Sequence, residues 1–582
     1  MFSVLGKLQW FFRDYWLRYS VAIFLLIIVA GIDIIPPKLI GSAIDAIQFE
    51  TLTRAKLTEL LLWYGVIIVS SYAISYVWAY LLFGGAFTLE RKMRSRLMQH
   101  FLSMTSSFFG KYRTGDLMAR STNDLKAISM TTGFGILTLV DATFFMLMIV
   151  GVMIVTISWK LTLAALIPLP VMALIMNRYG KTIHDRFTKA QDAFGDMNDD
   201  VLESIRGVRV LRAFVQEKQD EKRFGDMTQD VYEKNVEVAK IDAMFEPTIK
   251  VLVGLSYTIG LGYGAHLVFQ NTITLGQLVS FNVYLGMLIW PMFAVGELIN
   301  VMQRGNASLD RVNETLSYEA EVKDPLKPKS VPLPKSIVFD DVTFQYPDTE
   351  RPQLQGIKLD VERGHTIGVV GKTGAGKTTL FKQLLREYAG MKGKLTISGA
   401  SIHDLTLEDT RGWIGYVPQD QILFSKTVRE NIQFGHDDAS DGEIGRILEL
   451  AHLKDDIDNL PNGLDTKVGE SGVTLSGGQK QRVSLARALI MDPEILILDD
   501  SMSAVDGKTE ANIIKHLKAE RQDKTTLISA HRLSAVQHAD QIIVLEDGEI
   551  VERGTHDQLM KKGAWYAEQF TKQQMESGRG DA

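Results

Sequence analysis

The chain has 582 residues, too many for one domain at roughly 100 to 200 residues each, so two or more units are expected. A net charge of −6 gives no electrostatic case for nucleic acid as a partner, and the absence of cysteine excludes disulfides, cysteine zinc sites and thiol catalysis. The 46% hydrophobic share is uneven: long apolar runs fill residues 1 to 300, whereas 320 to 582 read as a charged, soluble α/β mixture.

Residues 2 to 17 mix aromatics with Lys7 and Arg13, as expected of a short helix at a membrane surface, and they lack the cleavage site of a signal peptide. Six segments then approach the ~20 apolar residues needed to cross ~30 Å of hydrocarbon. They are expected near 18–42, 58–84, 130–157, 161–178, 247–270 and 275–300. Arg91, Lys92, Arg94, Arg96, Lys111, Arg113, Arg120 and Lys126 crowd the segment 86–130, while the opposite loops hold only Arg54, Lys56 and Lys160. By the positive-inside rule 86–130 is cytoplasmic, and with an even number of spans both termini are too. The loop of about 179–246 lies on the same side. Residues 1–316 thus form a helical membrane domain.

Residues 317–336 carry four prolines and alternating charge, the composition of an extended linker. From Ile337 to about residue 570, short β-rich runs alternate with helical stretches, which predicts a mostly parallel sheet wrapped by helices. Residues 571–582 read as a tail.

Within the α/β unit, Gly371, Lys372, Thr373, Gly374, Ala375, Gly376, Lys377, Thr378 and Thr379 follow a strand-like HTIGVVG and open a helix. This is the spacing and context of a phosphate-binding loop. Its glycines let backbone N–H groups close on phosphate oxygens at a helix N-terminus, Lys377 brings a charge to the outer phosphates, and the Thr378 hydroxyl can ligate Mg²⁺. The stretch ILILDD, 495–500, reads as a buried strand ending in two carboxylates at its carboxyl edge. Asp499 is then placed to hold the Mg²⁺ of a bound nucleotide.

Leu475-Ser476-Gly477-Gly478-Gln479, running through KQRVSLARALIMDPEILILDD, resembles the ABC-transporter signature leading into Walker B. Six spans ahead of one ATPase domain are similar to the half-transporter plan of type IV ABC exporters, and the resemblance covers nearly the whole chain. It implies ATP and Mg²⁺ as cofactors and a second half-transporter as partner. It also implies that Ser476 and the N–H groups of Gly477 and Gly478 complete the phosphate loop of that other subunit. Tyr346 matches the aromatic that stacks on adenine, and Gln419 the glutamine that reaches Mg²⁺ and the attacking water. Glu470 falls in the loop that senses the partner's coupling helix, Asp506 matches the dimer-contact loop, and His531 the switch histidine near the γ-phosphate.

The sequence departs from the family at one position. Walker B normally ends in Asp-Glu, and here Asp500 is one methylene too short to put its carboxylate on the water. Since about 1 Å of misplacement can cost on the order of 10²-fold, slow hydrolysis is expected at the site built on this chain's own phosphate loop. ATP binding should survive. The expected assembly is a heterodimer in the bacterial plasma membrane, with the intact signature serving a competent site on a partner that carries the glutamate.

Phe109–Arg120 and Ser204–Gln216 resemble the family's coupling helices. Acidic residues inside spans are costly and point to function, so Asp33, Asp141 and Glu297 are candidate contacts for amphipathic cations, with Tyr284, Trp290 and Phe293 as cation-π surfaces. The expected function is ATP-driven export of amphipathic drugs, antibiotics among them. Lipid or peptide export, and a regulatory subunit that holds ATP with little turnover of its own, stay open.

Overall fold

The computed structural model describes residues 3–347, 349–469 and 475–578. The chain divides into two compact units: residues up to Phe101 with Thr114–Tyr318, and Leu102–Arg113 with the residues from Glu319 onward.

The first unit is helical throughout. Among the described residues, five helical runs are long and apolar enough to cross a membrane: Trp16–Gln48, Arg54–Ser103, Thr114–Leu166, Glu217–Phe269 and Leu275–Ser317. The sixth expected span, 161–178, falls on Trp159–Leu166 and the opening turns of Pro168–Arg206. The helix breaks at Ile167 and Pro168 opens the next one, since proline lacks an N–H and fits best in a first turn, and charge resumes at Arg178. The remaining apolar stretch is short. Ser204–Gln216 forms the tip of this region: the long helix ends at Arg206, turns at Gly207 and restarts as Val208–Ala213, with Ile205, Val210, Phe214 and Val215 exposed.

Among its described residues the second unit contains ten strands. β1 (Ser336–Phe344), β2 (Leu354–Glu362), β4 (Lys392–Ile397) and β5 (Ala400–Ser401) make an antiparallel sheet in the order β2-β1-β4-β5. β3 (Thr366–Gly371), β6 (Ile414–Val417), β7 (Ile495–Asp499), β8 (Thr525–Ser529), β9 (Gln541–Glu546) and β10 (Glu549–Gly554) make the second, ordered β10-β9-β3-β8-β7-β6 and parallel except at β10. The side chains of β7 show why its sequence is continuously apolar. Ile495 and Ile497 enter one hydrophobic core while Leu496 and Leu498 enter another, because both faces of a parallel sheet are covered. β3, β6, β7 and β8 all point their carboxyl ends the same way, and pairing sets Val369 and Asp499 each opposite Ser529. That shared edge is where such sheets bind ligands.

Two stretches differ from their sequence expectation. The linker is extended but strapped to the ATPase unit: Arg386 Nη2 donates to Lys323 O at 3.0 Å, Leu407 N–H to Asp324 Oδ1 at 2.7 Å, and Lys329 N–H to Asp404 O at 2.8 Å. The last helix, Trp565–Gly578, runs straight through the tail boundary expected at 570, held by buried Tyr566 and Phe570. Of the expected coupling stretch Phe109–Arg120, the part up to Arg113 belongs to the second unit. It includes the helix Ser106–Lys111, whose Ser106 Oγ donates to Glu387 Oε2 at 3.2 Å, while Ser107 Oγ donates to Glu321 Oε2 at 2.9 Å.

Candidate nucleotide site

The phosphate loop runs from the end of β3 into the helix Lys377–Leu384. Gly376 precedes that helix in a left-handed conformation, φ 104°, and a Cβ there would lie 2.6 Å from Gln353 O, so only glycine fits. Lys377, 7% exposed, donates from Nζ to Gly371 O at 2.8 Å and to Lys372 O at 3.1 Å. Burial pushes its ammonium below the ordinary lysine value, opposed by the charges of Asp500 and Asp499. A buried cation held by neutral carbonyls at a helix N-terminus favours an arriving anion.

Asp499 is 1% exposed and accepts three hydroxyls: Ser529 Oγ at 2.7 Å, Thr378 Oγ1 at 3.2 Å and Tyr416 OH at 3.3 Å. Burial, with the charge of Asp499 next, raises the Tyr416 phenol, so it stays a proton donor. Asp500 follows in a left-handed conformation, φ 47°, its N–H shared between Ser529 O and Oγ. Its Oδ2 lies 3.9 Å from Nε2 of His531, and burial pushes its carboxyl above the usual range against the pull of His531 and Lys377.

These groups line one cavity of ≈ 210 Å³: Gln353, Thr373 to Thr379, Gln419, Asp499, Asp500 and His531. Thr378, Asp499 and the Gln419 amide bring hard oxygens of the kind that suit Mg²⁺, which takes one or two carboxylates and completes its shell with phosphate oxygens and water. The donor set therefore fits a nucleotide with its metal. A bound ion would neutralise phosphate charge, and Lys377 would add a second positive group; Gln419 and Asp500 line the same cavity.

Other expected residues lie elsewhere. Tyr346 packs edge-on against Phe344 and Tyr388, with its hydroxyl 3.1 Å from Thr379 Oγ1, beside the loop. Ser476 caps the helix Gly477–Leu489 in a reciprocal box with Gln479, whose Nε2 also donates to Asp456 at 2.8 Å. Ser476 and Gly477 are exposed, away from this chain's own cavity. A Cβ on Gly478 would lie 2.8 Å from Ala504 O, so the signature helix sits against the turn after β7. Asp506 caps the helix Gly507–Glu520 through Thr509 N–H at 3.0 Å, which holds its carboxyl below the usual range. Glu470 lies outside the described residues. In the helical unit the three acids have separate partners: Ser71 Oγ donates to Asp33 at 2.9 Å, Trp290 Nε1 to Asp141 at 2.9 Å, and Arg304 stands 3.6 Å from Glu297. Sequence reasoning missed Tyr416 and Ser529 as partners of Asp499; a polar residue at the end of each neighbouring strand was the available signal.

A helical membrane unit joined to an α/β unit with a phosphate loop, a buried aspartate at the end of β7 and an LSGGQ helix cap defines an ATP-driven membrane transporter of the ABC class. The chain belongs to that family, with a type IV exporter fold: residues 19–292 match the ABC transporter transmembrane region and residues 354–503 the ABC transporter family. It is 59% identical over 99% of its length, and 98% of the relative's, to the probable multidrug resistance ABC transporter ATP-binding/permease protein YheI of Bacillus subtilis. It is 40% identical to the multidrug resistance-like ATP-binding protein MdlA of Escherichia coli, covering 99% of this chain and 98% of that one. The structure of a bacterial Atm1-family ABC exporter with ATP bound matches with a TM-score of 0.76 at 26% identity, over 97% of this chain and 98% of that chain. The family binds ATP, with Mg²⁺ as its usual companion, and couples hydrolysis to export.

Proposed function

We propose that this half-transporter works in a heterodimer that exports amphipathic drugs, and that the site on its own phosphate loop holds ATP but turns it over slowly. The observation that carries this reading is Asp500. It follows β7 and lines the nucleotide cavity with a carboxylate one methylene shorter than glutamate, beside Lys377, Thr378 and Asp499. The exposed signature cap at Ser476 supports a role in completing a second site, on a partner that has the glutamate. Pairing two copies of this chain would give two impaired sites and waste that cap.

In this reading Thr378, Asp499 and Gln419 hold Mg²⁺, His531 faces the γ-phosphate, and Tyr346 flanks the adenine. Both termini and the ATPase unit lie in the cytoplasm, in keeping with the basic residues between 86 and 130. The multidrug names of the relatives, and three acids carried on apolar helices, support a cationic, amphipathic substrate. Of the three, Asp141 is the strongest candidate: it opens a π-helical turn, Asp141–Phe145, and shares its carboxylate with the half-exposed Trp290 indole, a cation-binding ring.

The test is ATPase activity of the purified chain alone, of its Asp500→Glu variant, and of the chain co-purified with its native partner. The chain alone should be nearly silent, Asp500→Glu should raise turnover by about 10²-fold, and the pair should be active through the partner's glutamate. Robust hydrolysis by the unaltered chain without a partner would overturn the reading.

A further inference from the structure

The loop that carries His531 is gripped from outside the nucleotide site. Gln573, on the last helix, donates from Nε2 to the carbonyl of His531 at 2.8 Å and accepts from the N–H of Leu533 at 2.9 Å. A carbonyl can only accept and an N–H only donate, so the two bonds fix which way round the amide stands. A single side chain thus pairs with the backbone on both sides of Arg532, as a neighbouring strand would.

The rest of the helix is built to hold that amide still. Tyr566 is fully buried and Phe570 is 8% exposed, and Gln573 falls four and then three residues further along, on the same helical face. Tyr566 OH is fixed by His556 Nδ1 at 2.9 Å, and Leu533, in the gripped loop, is buried. Arg532 holds the opposite side of the loop, donating to Val505 O at 2.9 Å and pairing with Glu510 at 3.3 Å. The His531 imidazole, by contrast, is 42% exposed and packs loosely, so the place it occupies 3.9 Å from Asp500 is set by its backbone.

We propose that Gln573 is a positioning residue of the nucleotide site: through the last helix it fixes the backbone of the switch loop so that the His531 side chain meets the γ-phosphate. This rests on the reading of His531 as the γ-phosphate contact. Its effect is on the discrimination between ATP and ADP, since the two nucleotides differ only in the group that His531 faces. An undocked last helix would leave the site able to hold nucleotide but poor at telling which one it holds.

The experiment measures equilibrium binding of MgATP and MgADP to the purified full chain, comparing the unaltered protein with Gln573→Ala, Gln573→Glu, His531→Ala and the double variant His531→Ala/Gln573→Ala. Gln573→Ala should cut the ATP-over-ADP preference by about 2- to 10-fold, the worth of one or two hydrogen bonds, with ADP affinity unchanged. Gln573→Glu should behave alike, because a carboxylate cannot donate to the His531 carbonyl. The double variant should be no worse than His531→Ala alone, since the two residues act through one contact. An unchanged preference in Gln573→Ala while His531→Ala loses it would overturn the proposal; so would a parallel loss of ATP and ADP binding, or additive losses in the double variant. If His531→Ala leaves the preference intact, the role of His531 itself fails and the positioning role falls with it.

Discussion

At the scale of single residues, the phosphate loop stores an unmet electrostatic demand. Lys377 is buried, its hydrogen bonds go to two backbone carbonyls, and burial holds its ammonium below the ordinary lysine value despite the nearby charges of Asp500 and Asp499. Nucleotide phosphate meets the demand. MgATP at a hundred times its Kd should therefore stabilise the protein by about 2.7 kcal/mol, and Lys377→Ala should erase most of that gain. Thermal unfolding in detergent, with and without MgATP, reads it directly. Asp500 gives a prediction of opposite kind. Burial raises its carboxyl in the fold, so the folded chain binds this proton more tightly than the unfolded one. Its contribution to stability is fully present below the ordinary carboxylate value near 4 and is lost as pH rises through the raised one. Asp500→Asn should flatten that part of the stability profile and leave the variant more stable than the parent at neutral pH, as thermal midpoints across a pH series would reveal.

At the scale of elements, the strap formed by residues 319 to 329 turns a proline-rich linker into part of the ATPase unit. The Asp324 carboxylate takes the free N–H of Leu407 at the start of a short helix, and Arg386, just beyond the helix that begins at Lys377, donates to the Lys323 carbonyl. Asp324→Ala should speed hydrogen exchange at the Leu407 amide by about tenfold while β7 stays protected, a local opening that exchange mass spectrometry resolves. Local pattern made much of this region legible in the sequence. The apolar run before Asp499 and the glycine spacing before Lys377 depend on neighbours a few residues away, and they form the buried strand β7 and the turn into the helix that begins at Lys377. What stayed hidden depends on distant partners. Nothing near Asp499 in sequence announces Tyr416 or Ser529, which reach it only when three strands align. Nothing in residues 571 to 578 marks them as helix until Tyr566 and Phe570 are seen buried. Nor did composition mark where the sixth expected span, 161–178, passes from one helix to the next at Ile167, although the six-span exporter fold stands.

At the scale of the whole molecule, the ATPase unit is not a continuous piece of chain. Leu102–Arg113, between two long apolar helices, belongs to it, and Ser106 and Ser107 bond to Glu387 and Glu321. Glu387 lies just beyond the helix that begins at Lys377, so the inserted segment ends up one short stretch of chain from the phosphate loop. The motor is therefore not a self-contained cassette in this chain. A recombination event within the linker would hand the incoming ATPase a foreign stretch 102 to 113. Halves exchanged among relatives would work only where that stretch had changed in step with positions 321 and 387.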